Sequence, residues 1–141
     1  MSAEYFIDTN IFIYQLEALD PRKSAAADRI VRAGVELGNA CISFQVVQEC
    51  LNTILRKAEI TMNTDQTRIY LDTVLAPLFA VPANLSLYHR ALGVQSRYGY
   101  HFYDALIIGA ALEAGCRLLY SEDLNQGQQI ENLTIVNSFA E

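Results

Sequence analysis

Short apolar bursts and longer amphipathic stretches alternate along this chain. Tyr5-Phe6-Ile7 is a β-prone run that stops at Asp8, and Ala40-Cys41-Ile42 is another, followed by Ser43. Phe79-Ala80-Val81 ends at Pro82, Leu118-Leu119-Tyr120 ends at Ser121, and Leu133 to Val136 forms a β-branched run near the C-terminus. These five bursts lack the period-2 alternation of a sheet with one wet face. They predict buried strands of a parallel sheet covered on both sides.

The stretches between them have helical spacing. Ser24 to Leu37 sets Ala27, Ile30, Val31 and Val35 on one side and meets a stop signal at Gly38. Phe44 to Ala58 carries a stripe of Val46, Val47, Cys50, Leu51, Ile54 and Leu55. A third helix is predicted from Thr64 to Ala76, closed by Pro77, and a fourth from an N-cap at Asn84 to just before Gly99. Phe102 to Ala114 is apolar nearly all round and ends at Gly115, as expected of a buried central helix. Strand–helix alternation over the whole length predicts an α/β sandwich with right-handed crossovers. With 141 residues and no internal repeat, residues 1–141 form one domain.

Composition narrows the class. The chain is 52% apolar and 18% charged with only 3 Pro, which excludes disorder and linker-dominated architectures. No apolar run approaches the ~18 residues of a membrane span, and Met-Ser-Ala-Glu lacks the basic start of a signal peptide. Cys41, Cys50 and Cys116 have neither CxxC spacing nor a nearby His pair, so they read as buried thiols of a reducing compartment. A cytoplasmic protein without membrane association is expected. The net charge of −6 argues against a basic phosphate-binding face. It suits either a solvated acidic surface or carboxylates gathered around divalent cations.

Four acids occupy positions that the core pattern does not explain. Asp8 interrupts the run from Tyr5 to Tyr14, Asp123 follows the fourth strand, and Asp104 opens the all-apolar helix. Taken singly, each has a local reading: an Asx-turn, a loop residue and a helix N-terminal charge. Taken together, all three map to the edge where the carboxyl ends of parallel strands meet the N-termini of the following helices. Glu49 falls on the polar side of its helix with Gln45, Asn52 and Thr53, as a solvated residue would. It lies nonetheless in the second turn of a helix starting at that same edge. Oxygen ligands without His or Cys select hard cations, Mg²⁺ or Mn²⁺. Two carboxylates ~4 Å apart repel by about 4 kcal/mol at an effective dielectric of 20, so a cluster of them calls for cations.

The stretch His101-Phe-Tyr-Asp-Ala-Leu-Ile-Ile-Gly-Ala-Ala-Leu-Glu-Ala-Gly-Cys-Arg-Leu-Leu-Tyr-Ser-Glu-Asp-Leu resembles the C-terminal half of PIN-domain ribonucleases, in particular the VapC-like toxins. Phe6-Ile7-Asp8-Thr9-Asn10 is similar to the opening strand and turn of that family, and Ser43 to Glu49 resembles the segment that supplies its helical Glu. The likeness covers essentially the whole chain in order. It implies a PIN-like α/β/α sandwich around a mainly parallel five-stranded sheet, and a Mg²⁺- or Mn²⁺-dependent endoribonuclease. Asp8, Glu49, Asp104 and Asp123 would be the catalytic, metal-binding acids, with Asn10 and Ser121 holding them or a water. Many relatives carry a further acid or aromatic after the last Asp. Here Leu124-Asn125-Gln126-Gly127 follows, and Asn125 offers an amide instead of a charge.

The expected chemistry is metal-assisted phosphodiester hydrolysis by water, with no covalent enzyme nucleophile. RNA is the implied substrate and a cognate antitoxin the implied partner, while the high apolar fraction points to a homodimer or an inhibitory partner. Arg22-Lys23, Arg56-Lys57, Arg90 and Arg97 are candidate phosphate contacts, and Tyr98, Tyr100 and Tyr103 candidate stacking surfaces. His101 is expected to pack or cap beside the Asp104 turn. Two other classes stay open: a catalytically idle PIN-like binding module, and an Asp8-nucleophile phosphohydrolase. The second wants an acid two residues after its Asp, where this chain has Asn10.

Overall fold

In a computed structural model, which describes residues 3–139, all five bursts are strands. They are β1 (Tyr5–Ile7), β2 (Ala40–Ser43), β3 (Phe79–Val81), β4 (Leu118–Tyr120) and β6 (Leu133–Val136). A sixth, β5 (Gln129–Ile130), was not legible, because two residues are too short for any periodicity. Glu131, at φ 55°, helps turn the chain so that Ile130 lies opposite Leu133. The sheet order is β3-β2-β1-β4-β6-β5, parallel throughout except for the β5–β6 edge pair.

β1 and β2 are buried along their whole length, so both faces of the sheet centre are covered. Tyr5 and Ala40, paired in register, face α2 (Pro21–Leu37); the Tyr5 hydroxyl donates to the Ile30 carbonyl at 3.4 Å. Gly34 permits this approach, since a Cβ there would lie 2.7 Å from the Ala40 Cβ. Phe6 and Cys41 point to the other face, where the Cys41 and Cys116 sulfurs are 3.5 Å apart. Cys116 follows α7 (Phe102–Glu113), whose residues Ala105 to Ala111 are all buried. All three cysteines are free and buried.

The segment after Asp8 is α1 (Thr9–Glu17), which the β-branched and aromatic run Ile11-Phe12-Ile13-Tyr14 conceals. Asp8 itself is the N-cap, and the apolar residues pay their helix cost by burying Ile11 and Phe12. α2 starts three residues before the expected Ser24, from an Asp20 cap with Pro21 in the first turn. α3 (Phe44–Arg56) and α6 (Leu85–Tyr98) follow the expected stretches. Pro77 does not close the third helix. α4 (Thr64–Tyr70) runs through a π turn, Leu71–Leu75, into α5 (Ala76–Leu78). The Ala76 N–H bonds back to the Leu71 carbonyl, and this wider winding lets proline enter the last turn.

Candidate functional site

β1 and β4 are neighbours in the sheet but distant in sequence, because the strand order reverses between them. Ligand crevices in open α/β sheets form outside the carboxyl ends of strands at such a point. The ends are held level: the Asp8 N–H donates to the Tyr120 carbonyl and the Ser121 N–H to the Val136 carbonyl, each at 3.0 Å. A cleft of about 510 Å³ opens there, and Asp8, Glu49, Asp104 and Asp123 all line it.

Each acid arrives on a different element. Asp8 ends β1 and caps α1, with the Thr9 N–H donating to Oδ1 at 2.7 Å and the Ser121 hydroxyl to Oδ2 at 2.8 Å. Glu49, exposed in the second turn of α3, accepts from the Thr9 hydroxyl at 2.7 Å. Asp123 lies in the loop after β4 and accepts from Asn10 Nδ2 at 3.0 Å. Asp104 stands in the first turn of α7 and accepts no hydrogen bond from a described residue, so it is not a capping group. Asn10 and Ser121 thus each hold one acid. Asn125 holds none: its amide donates to Gln128 at 3.2 Å, and it does not line the cleft.

Burial dominates the electrostatics of Asp8. Enclosure of its carboxyl pushes the pKa up from 3.8 to about 6, against the lowering effect of the Ser121 and Thr9 hydrogen bonds. Repulsion from Glu49 and Asp123 raises it further but is the smaller influence. An ionised Asp8 is therefore poorly compensated by the protein alone.

The donor set suits a hard cation: five carboxylates, of which only Glu17 is ion-paired, to Lys57, and no His or Cys in the lining. Two buried amide oxygens in the same lining, Asn10 Oδ1 and Gln45 Oε1, have no hydrogen-bond partner. Among the described residues, however, no three acids, histidines or cysteines stand together closely enough to hold a metal ion directly.

Thr9 and Gln45 are the residues the pattern hid. Thr9 was visible only as part of the Asp-Thr-Asn turn. Gln45 read as part of a solvated face but is 5% exposed, with Nε2 donating to the Tyr103 carbonyl at 3.2 Å and to Glu49 Oε2 at 3.5 Å. Of the expected phosphate contacts, Arg56 and Lys57 reach the cleft, and Lys57 is ion-paired to Glu17. Lys23 pairs instead with Glu122, and Arg90 with Glu113 and Glu131. Tyr103 lines the cleft and is exposed, whereas Tyr98 and Tyr100 are half-buried away from it. His101 is exposed and its side chain makes no cap, contrary to expectation.

The model of the PIN domain family matches residues 5–129. The chain belongs to the PIN domain family. Solved structures carry the same fold over nearly the full length of this PIN domain. A toxin–antitoxin complex from Klebsiella pneumoniae matches with TM-score 0.67 at 18% identity, covering 96% of this chain and 98% of that one. VapBC from Salmonella typhimurium, bound to DNA, matches with TM-score 0.68 at 15% identity and the same coverages. VapC20 from Mycobacterium tuberculosis, a sarcin-ricin-loop-cleaving toxin, matches with TM-score 0.61 at 20% identity, covering 85% and 90%. No curated protein matches this PIN domain at significant similarity. No helix among the described residues is long and apolar enough to cross a membrane.

Proposed function

We propose that this PIN domain is a Mg²⁺- or Mn²⁺-dependent endoribonuclease, acting in the cytoplasm as the toxin of a toxin–antitoxin pair. The observation that carries the reading is the convergence of four acids, from four separate elements, on one cleft at the strand-order reversal. The toxin role rests on likeness to solved toxin–antitoxin complexes, and a cognate antitoxin is the partner it implies; a second copy of this chain is proposed from the high apolar fraction alone.

Asp8, Glu49, Asp104 and Asp123 would hold the cation. When bound, it supplies the Lewis acidity that phosphodiester hydrolysis at neutral pH requires. The chain's own residues do the positioning. Ser121 and the Thr9 N–H fix the Asp8 carboxylate, the Thr9 hydroxyl fixes Glu49, and Asn10 fixes Asp123. Arg56, on the same wall, has no partner among the described residues and is free to meet an RNA phosphate.

A second reading, an idle binding module, draws on the lack of a preformed three-acid group. An Asp8-nucleophile phosphohydrolase is disfavoured because Asn10 is committed to Asp123. Cleavage of structured and unstructured RNAs in Mg²⁺, Mn²⁺ or EDTA separates these readings. Metal-dependent cutting should vanish in folded Asp8→Asn and Asp104→Asn proteins. Equal cutting by wild type and both variants in matched metal removes the nuclease assignment.

A further inference from the structure

Gln45 is 5% exposed, and its amide orientation is fixed by what surrounds it. Nε2 faces two acceptors, the Tyr103 carbonyl and Glu49 Oε2, so a flipped amide would set oxygen against oxygen. Oε1 is left buried with no donor. Asn10 repeats the arrangement: Nδ2 is spent on Asp123, and Oδ1 is buried with no donor. Buried acceptors without donors are costly and rare in folded proteins. The two residues, Gln45 and Asn10, line the acidic cleft, where the carboxylates are further acceptors.

Such a lining asks for an occupant that is cationic and presents hydrogen-bond donors in several directions. A bare ion meets only the first demand, and no three acids are placed to strip one of its waters. Neutral water meets only the second. Mg²⁺ dehydrates reluctantly and usually keeps several waters, and so meets both. We propose that Gln45 Oε1 and Asn10 Oδ1 accept hydrogen bonds from the water shell of a hydrated divalent cation, so that the cleft takes Mg²⁺ with most of its waters in place. This rests on the metal-dependent reading above and assigns Gln45 a positioning role toward the ion.

Cobalt(III) hexammine tests it, because its six ammine ligands donate N–H bonds and do not exchange for protein oxygens. Calorimetric titration at pH 7.5 in about 150 mM KCl should find one equivalent bound and displaced by Mg²⁺. Gln45→Met, which deletes the acceptor, should weaken hexammine and Mg²⁺ binding about tenfold. Gln45→Glu keeps an acceptor oxygen and should not weaken it; a purely structural role, through the bond to Tyr103, would make both variants lose alike. Asp65→Asn, outside the cleft, should bind as wild type. If Gln45→Met does not fold, Gln45→Ala, which deletes the same acceptor, carries the comparison with the same expected loss.

Binding of Mn²⁺ without competition from hexammine overturns the inference, as does unchanged hexammine binding in Gln45→Met. If neither ion binds, the metal-dependent reading falls with it. Hexammine binding as expected, in a protein that cuts no RNA, keeps the inference and removes the nuclease.

Discussion

Asp8→Asn should stabilise the metal-free protein, and the gain should depend on pH. The carboxyl of Asp8 is enclosed and its pKa is raised from 3.8 to about 6. A folded-state pKa above the unfolded value means that the fold holds an extra proton. The group's stabilising contribution is then full below the unfolded pKa and is lost as pH rises through the folded one. At 1.36 kcal/mol per pH unit, the gap between 3.8 and about 6 costs the wild type roughly 3 kcal/mol above pH 7. Asparagine carries no charge to desolvate. Its Oδ1 can still accept from the Thr9 N–H, and the Ser121 hydroxyl can turn to accept from the new amide. The variant should therefore melt on the order of 10 °C above wild type at pH 7.5, with most of that gap closed at pH 4. Comparing the two proteins at each pH cancels titrating groups that do not interact with Asp8, such as Asp28 and Glu122, whose pKa values are lowered by their hydrogen-bonded partners. Mg²⁺ should raise the wild-type melting temperature more than the variant's, because asparagine brings no charge to the cation. An offset between the two melts that is flat from pH 4 to pH 7.5 would refute the argument.

Other perturbations test separate parts of the molecule. Ser121 is fully buried and its hydroxyl favours the ionised form of Asp8, so Ser121→Ala should push that pKa further up. Mn²⁺ titrations across pH should then show binding developing at higher pH than in wild type, and a downward displacement would contradict the assigned hydrogen bond. Gly34→Ala drives a methyl to 2.7 Å from the Ala40 Cβ and 3.2 Å from the Tyr5 hydroxyl. Urea unfolding should find it about 1–3 kcal/mol less stable, by overpacking α2 against the sheet. Asn84 accepts the Leu87 N–H at 2.8 Å as the cap of α6, so Asn84→Ala should cost about 1 kcal/mol in the same assay without changing the m-value.

What the sequence made legible follows how local each cause is. Four of the five strands were readable because residues such as Phe6, Ile42 and Leu119 are buried by the strands' interior place in the sheet, which leaves apolar runs, whereas β3 is an edge strand whose Phe79 and Ala80 are exposed, against the expectation of burial. α1 was hidden because Ile11 to Tyr14 have strand propensity, and only tertiary burial of Ile11 and Phe12 makes them helical. The π turn before Pro77 was equally hidden, since it is a change in hydrogen-bond spacing with no residue signature of its own. Strand–helix order alone placed the four acids at one sheet edge, and the family resemblance then marked them as a set.

The residues between the acids show why geometry was still needed. Gln45 and Glu49 are four apart on one helix face, and amphipathic periodicity gives them the same environment, yet one is buried and the other exposed. The difference comes from the Tyr103 carbonyl, which α7 brings up against Gln45 from 58 residues away. Asn10 and Asp123 are likewise joined across 113 residues. Both contacts depend on the reversal of strand order between β1 and β4, a property of the whole sheet. That reversal also answers the objection raised by the net charge of −6. The cleft needs cations more than it repels phosphate, because its carboxylates and its two donorless amide oxygens all present the same electrostatic sign to whatever enters.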